Sequence, residues 1–172
     1  MRNKIKIFSL SAHRVFLAGL IFFCLSACAA GLVFHSFSFN AAIESPDVVV
    51  LDYRYGDSLQ PSARVSDYDK ANQRVRQGVA IGGDMLRGDS LYVKWQIKKS
   101  ALTYEDTVAL KRLLPRNIDH CTIHFTIKDQ QLFVYLITTE RLPAGETSNG
   151  PREYDYLKVI TLSSNFGREV TN

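Results

Sequence analysis

Two histidines four residues apart, His120 and His124, have the spacing at which two imidazoles on a helix could share a metal ion. Residues 121–128 instead alternate between apolar and polar side chains, and this pattern predicts a strand. Positions four apart on a strand are separated by about 13 Å, which is too far for one metal ion. We therefore expect both histidines to face solvent beside Thr122 and Thr126, and we predict no metal ion and no other cofactor.

The other reactive side chains do not form a recognisable catalytic group. Cys121 has the parity of Ile123 and Phe125 in the same strand, so we predict a small buried hydrophobe rather than a nucleophile. Glu105 and Asp106 are adjacent and would point to opposite faces of a strand, which excludes the acid pair of a glycosidase. The sequence has no Gly-x-Ser-x-Gly nucleophile elbow. We predict that the chain is not an enzyme, and an enzyme or small-ligand carrier with an unrecognised site stays open as an alternative.

The elements that would position these side chains are mostly short strands. Runs rich in β-branched, aromatic and alternating apolar residues predict strands at 48–55, 91–98, 103–110, 121–128, 131–139 and 156–162. The polar segment 57–78 predicts at most one short helix, and a glycine-rich turn region follows at 82–88. Short strands joined mostly by turns predict a mainly β fold, either an antiparallel β-sandwich or a partly open barrel.

The strand at 131–139 is apolar on both faces. Leu132, Val134 and Leu136 fill one face, and Phe133, Tyr135 and Ile137 fill the other. Either both faces are covered, the second by the segment before residue 48 or by residues 57–78, or the second face meets a partner protein. Tyrosines suit such a recognition surface because they combine a large contact area with a hydrogen-bonding tip. The candidate partner-binding residues are Tyr53, Tyr55, Tyr92, Tyr104, Phe133 and Tyr135.

The start of the chain has the composition of an export signal. Arg2, Lys4, Lys6 and Arg14 precede an apolar run at 15–23 that has the length of the apolar region of a signal peptide. Residues 15–34 carry no charged side chain, so an uncleaved membrane-spanning helix is the alternative. Basic residues before the apolar run place the remainder of the chain outside the cytoplasm in both cases. We therefore expect the domain outside the cytoplasm.

The end of this apolar segment, Leu25-Ser26-Ala27-Cys28, resembles the lipobox of bacterial lipoproteins. The resemblance implies cleavage before Cys28 and lipidation of that cysteine, which would hold the protein at the periplasmic face of a membrane. The implied organisation is a signal peptide at 1–27, a tether at 28–47 and a single β domain at 48–172. Ala29 stands where some lipoproteins have the aspartate that retains them in the inner membrane, and this favours the outer membrane.

Removal of the leader changes the charge balance of the protein. The leader holds four of the chain's 21 Lys and Arg and none of its 17 Asp and Glu, which leaves 17 residues of each sign. The basic character of the whole chain therefore belongs to the leader, and we predict no nucleic-acid partner. Cys121 would be the one cysteine in the domain, so no disulfide within the domain is expected despite an oxidising compartment.

The order of several motifs resembles a group of small proteobacterial lipoproteins of unknown function. The matching segments are Leu-Tyr-Val-Lys-Trp at 91–95, Tyr-Glu-Asp-Thr-Val at 104–108, Leu-Pro at 114–115, Ile-His-Phe at 123–125 and Leu-Phe-Val-Tyr-Leu-Ile at 132–137. Some members of this group are encoded beside type VI secretion lipase effectors. The resemblance implies an immunity protein that holds a phospholipase effector inactive at the periplasmic membrane face. A lipoprotein that assists assembly of the envelope or of a secretion system is the alternative.

Overall fold

The computed structural model describes residues 31–170, and Cys28 and the predicted signal peptide lie outside this range. The strands in it are β1 (Leu32–Asn40), β2 (Val48–Tyr55), β3 (Gly78–Leu86), β4 (Leu91–Ile97), β5 (Thr103–Val108), β6 (Thr122–Lys128), β7 (Gln131–Arg141), β8 (Leu157–Phe166) and β9 (Arg168–Glu169). The helices are α1 (Ala41–Glu44), α2 (Asp67–Ala71) and two 3₁₀ helices, Leu110–Arg112 and Arg152–Tyr154. None of these helices reaches seven residues, and the prediction of a mainly β fold is confirmed.

The strands form two sheets and no closed barrel. One sheet has five strands in the order β3-β1-β6-β7-β8, and the other has four in the order β2-β4-β5-β9. All the pairings are antiparallel except that of β1 with β6, which is parallel and makes the five-stranded sheet mixed. This parallel pairing places β1, the first strand of the domain, between β3 and β6. β1 and β6 are far apart along the chain.

Aromatic side chains from both sheets form the centre of the core. Phe37 of β1 stacks on Tyr55 of β2 with ring centroids 5.1 Å apart, and Phe39 meets Tyr53 at 4.9 Å. Trp95 is fully buried and its indole N–H donates to the carbonyl oxygen of Asp129, so this polar group is not left unpaired. These contacts between the facing surfaces of the sheets make the domain a β-sandwich.

The segment predicted as a tether, residues 28–47, is largely part of the domain. From Leu32 onward it forms β1 and α1, and β1 pairs with strands on both sides. The physical reason is the alternation of Val33, His35, Phe37 and Phe39, which point into the core from one face of β1. The domain therefore begins at Leu32 rather than at Val48.

The second apolar face of β7 is covered from within the chain. Tyr135 and Ile137 are buried there, and the loop at 142–156 folds over this side of the sheet. The loop packs so closely that a Cβ on Gly150 would lie 2.6 Å from Cγ1 of Val159 on β8. Residues 57–78, one of the two segments considered as a cover, instead run along the edge of β2, where the Tyr55 N–H donates to the carbonyl oxygen of Ala63 at 2.8 Å.

Candidate functional site

A buried polar cluster lies on the outer face of the five-stranded sheet. It consists of Ser38 on β1, Glu44 on α1, His124 on β6 and Tyr154 in the 3₁₀ helix Arg152–Tyr154. Ser38 and His124 are direct neighbours in the parallel register of β1 and β6, so their side chains leave the sheet on the same side. We call these four residues the polar cluster.

Hydrogen bonds join the polar cluster into one chain centred on His124. Nδ1 of His124 lies 2.8 Å from Oγ of Ser38, and Nε2 lies 2.6 Å from Oε2 of Glu44. The Tyr154 hydroxyl lies 3.3 Å from Oγ of Ser38, and its ring meets the imidazole edge to face. Burial raises the pKa of the Tyr154 hydroxyl, which therefore stays protonated at neutral pH.

The two histidines of the predicted strand have different environments. His120 lies just before β6 and is exposed, with a positive φ of 57°. His124 was expected to face solvent as well, and this prediction is wrong because α1 and the loop at 142–156 cover its side of the sheet. The side chains of His124 and Glu44 are only 1% and 6% exposed.

The polar cluster contains the functional groups of an acyl-transfer site, since hydrogen bonds join a hydroxyl, an imidazole and a carboxylate in that order. Ser38, however, is buried in the middle of β1, which is paired with β3 and β6 on its two sides. Backbone N–H groups engaged in these ladders cannot stabilise an oxyanion beside Ser38. In this conformation the hydrogen bonds hold α1 and the 3₁₀ helix against the sheet.

An open cavity of about 410 Å³ borders the polar cluster. Glu44 and Ser45 line one side of it, and Lys128, Phe133 and Tyr135 line another. Oε1 of Glu44 is buried and has no hydrogen-bond partner, although Oε2 is bonded to His124. The cavity therefore has an aromatic wall and borders a carboxylate with one buried, unpaired oxygen.

The outer face of the four-stranded sheet carries a row of alternating charges. Asp52, Lys94, Glu105 and Arg168 are successive register partners across β2, β4, β5 and β9. Together with Arg54 and Tyr92 in the adjacent row, these residues form what we call the ionic face.

Internal contacts order the side chains of the ionic face. The Tyr92 hydroxyl donates to Oε2 of Glu105 at 3.1 Å, and the guanidinium of Arg168 donates to Oε1 of the same carboxylate. These two donors, Arg168 first, lower the pKa of Glu105, which keeps it charged. Lys70 of α2 lies 2.7 Å from Oδ2 of Asp52 at the edge of the face. The ionic face is thus a polar sheet surface with a tyrosine among its charges.

The six candidate partner-binding residues do not lie on one surface. Tyr53, Tyr55, Tyr104 and Tyr135 are buried and cannot contact a partner protein, so for these four the prediction is wrong. The rings of Tyr53, Tyr55 and Tyr104 fill the interior of the sandwich, where Tyr104 stacks on Trp95 with centroids 6.1 Å apart. Tyr135 is instead covered on the outer face of β7. The other two are half-buried on opposite sides of the sandwich, Tyr92 on the ionic face and Phe133 at the cavity.

Sequence reasoning missed Ser38, Glu44 and Tyr154 as members of the polar cluster. Ser38 and Glu44 lie in the predicted tether, and Tyr154 lies between the predicted strands at 131–139 and 156–162. The available signal was the alternation of residues 33–39, which would have revealed β1 and the outward position of Ser38.

Cys121 has no disulfide partner among the described residues and is half-buried. Burial raises the pKa of its thiol, as expected for a structural cysteine rather than an activated nucleophile. No group of three or more His, Cys, Asp and Glu side chains within residues 31–170 is arranged to hold a metal ion. The same part of the chain has no helix long and apolar enough to cross a membrane.

Comparison of the chain with protein-family models gave no match, and neither the curated proteins nor the solved structures gave one.

Proposed function

We propose that this chain is a lipid-anchored protein of the bacterial envelope that binds a protein partner at the periplasmic face of the membrane. The basic leader, the apolar run and Cys28 at its end support the anchor. A lipoprotein that carries several acyl chains is held stably at a membrane, whereas a single chain gives marginal binding.

The observation that carries the binding proposal is the ionic face. Alternating charges on adjacent strands, spaced by about 4.8 Å, form a pattern that a partner surface of complementary charge can match. Tyr92 adds an amphipathic contact among these charges, and its hydroxyl donates to Glu105 of the neighbouring strand. A rigid sheet surface also loses little conformational freedom when a partner binds.

The resemblance to lipoproteins encoded beside type VI secretion lipases suggests the class of partner. A phospholipase effector acts at the membrane surface, and an inhibitor anchored to that surface is concentrated where the enzyme meets its substrate. We therefore favour an immunity protein that neutralises a phospholipase effector. An assembly lipoprotein would use the same anchor with a different envelope partner.

Binding to a type VI secretion phospholipase effector tests the proposal. Lys94→Glu and Arg168→Glu reverse two charges of the ionic face, and we expect each change to weaken binding by about tenfold or more. Lys158→Glu is the matched control, because Lys158 is an exposed cation on β8 of the other sheet. Thermal melting of each variant establishes that the fold is intact.

Four outcomes distinguish the alternatives. Loss of binding in the ionic-face variants alone supports the proposal, whereas equal affinity of all the variants removes the ionic face as the docking surface. Failure of the wild-type protein to bind the lipase contradicts the immunity function. Recovery of an envelope assembly protein instead, lost on the same substitutions, supports the assembly alternative.

The order of hydroxyl, imidazole and carboxylate in the polar cluster suggests a second candidate function, acyl hydrolysis, although no backbone N–H beside Ser38 is free to stabilise an oxyanion in this conformation. His124 lies within hydrogen-bond distance of both the Ser38 hydroxyl and the Glu44 carboxylate. The loop at 142–156 would have to open for a substrate to reach Ser38. A fluorophosphonate probe that labels the wild-type protein but not Ser38→Ala would support a hydrolase, and an unlabelled wild-type protein would contradict it.

A further inference from the structure

An apolar corner lies at the start of β1, on the outer face of the five-stranded sheet. Leu32 is 63% exposed, Phe34 45% and Leu86 37%. Leu32 and Phe34 are two residues apart and leave β1 on the same side, and Leu86 of β3 is the register partner of Leu32. The three side chains are therefore neighbours, and we call them the apolar corner.

Polar groups surround the apolar corner. Asp84 is the register partner of Phe34, and the His120 ring packs on the Phe34 ring with centroids 4.9 Å apart. Arg87 follows Leu86 and donates from its guanidinium to the carbonyl oxygens of Leu114 and Arg116. An apolar tip flanked by charged and polar groups matches the boundary between lipid chains and headgroups.

The chain that precedes the apolar corner is the one proposed to enter the membrane. Only residues 29–31 separate Cys28 from β1, and three residues reach at most about 10 Å. The end of an uncleaved helix would be equally close to β1. Because β1 begins at Leu32, such a helix has only residues 15–31, which is at the short limit of roughly 17–25 residues for a spanning helix. Either anchor therefore holds the apolar corner at the membrane surface.

We propose that Leu32, Phe34 and Leu86 insert into the periplasmic leaflet of the membrane and fix the orientation of the sandwich on it. This proposal rests on the membrane anchor of the proposed function. Asp84 beside Phe34 limits the insertion to the outer part of the leaflet, within about 5–10 Å of the headgroup boundary. Because the apolar corner belongs to the outer face of one sheet, the ionic face on the other sheet then points away from the lipid.

Fluorescence of the full, membrane-extracted protein in phosphatidylcholine vesicles tests this orientation. The chain has a single tryptophan, Trp95, which is fully buried and serves as an internal reference. Phe34→Trp adds a second tryptophan at the apolar corner. We expect its emission to shift to shorter wavelength and to be quenched strongly by brominated lipid chains, whereas the wild-type emission is quenched little.

Leu102→Trp is the matched control, because Leu102 is 41% exposed in the turn between β4 and β5. β4 begins five residues after Leu86 and extends for about 20 Å away from the apolar corner, and Leu102 follows its far end. The tryptophan at position 102 should therefore remain accessible to aqueous acrylamide. Quenching of both new tryptophans by lipid would contradict a fixed orientation.

Flotation of the same vesicles separates failure of the insertion from failure of the anchor. If the Phe34→Trp protein floats with the vesicles while its new tryptophan is quenched only by acrylamide, the insertion is overturned and the anchor stays intact. A protein that does not float overturns both. Shielding of the new tryptophan from both acrylamide and brominated lipid would assign the apolar corner to a second protein surface and would also overturn the insertion.

Discussion

Nε2 of His124 lies 2.6 Å from Oε2 of Glu44, although 80 residues separate the two along the chain. Both side chains are almost fully buried on the outer face of the five-stranded sheet. The contact joins α1, directly after the first strand, to β6 near the middle of the chain. It therefore covers His124 on the outer face of the sheet, although strand alternation predicts that this residue faces solvent.

Removal of the His124 imidazole should destabilise the domain strongly. His124→Ala leaves Glu44 and Ser38 buried without their main partner, and we expect a loss of about 2–4 kcal/mol in the free energy of unfolding. His120→Ala is the control, with an expected change within about 0.5 kcal/mol because that side chain is exposed. Urea denaturation measures both, and equal effects would contradict the structural role of the polar cluster.

Tyr55 should stabilise the core through its hydroxyl as well as its ring. The Gly88 N–H donates to this hydroxyl at 3.1 Å, and Nε2 of His35 lies 2.8 Å from it. Tyr55→Phe would leave two buried groups unpaired, and we expect a loss of about 1–3 kcal/mol. Tyr68→Phe, at an exposed position on α2, should change the unfolding free energy little. An unchanged melting temperature of Tyr55→Phe would contradict a stabilising role for these two hydrogen bonds.

The contribution of Tyr55 should depend on alkaline pH. Burial raises its pKa from 10.0 to about 12 in the folded protein. The stabilisation is therefore fully present below pH 10 and is lost as the pH rises through about 12, because only the unfolded chain releases the proton readily. In urea titrations the advantage of the wild-type protein over Tyr55→Phe should decrease between pH 10 and pH 12. A constant or growing advantage over that interval would be inconsistent with a buried, protonated hydroxyl.

Gly167 should be intolerant of a side chain. A Cβ at this position would lie 2.4 Å from the Trp95 ring, which is fully buried and cannot move freely. We expect Gly167→Ala to destabilise the domain by about 1–3 kcal/mol through overpacking. Gly78→Ala on β3 is the control, because a Cβ there meets its neighbours no closer than 3.5 Å. Similar denaturation midpoints for the two variants would show that the end of β8 does not pack on Trp95 as described.

Local sequence pattern accounts for much of the fold. The alternation at 91–98 and 121–128 correctly predicts β4 and β6, because each strand has one face in the core. β3 overlaps the predicted turn region at 82–88, because Gly82 and Gly83 interrupt its alternating pattern. A Cβ at position 82 would lie 2.7 Å from Oγ of Ser36, so the Ser36 side chain would have to rotate to admit it.

The polar cluster could not be predicted from local pattern. Ser38 and His124 meet because β1 pairs with β6 in parallel across 86 residues, and no short segment encodes that pairing. The hydrogen bond of Tyr92 could not be predicted from local pattern either. Its outward position follows from strand alternation, but its bond to Glu105 depends on the register of β4 with β5.

The intact mass of the protein extracted from bacterial membranes tests the central claim most directly, namely that Cys28 holds this β-sandwich at the envelope membrane. The account predicts a chain that begins at Cys28 and carries acyl groups, and a Cys28→Ser variant that lacks them. An unacylated chain that retains residues 1–27, or an unmodified protein in the soluble fraction, would contradict it.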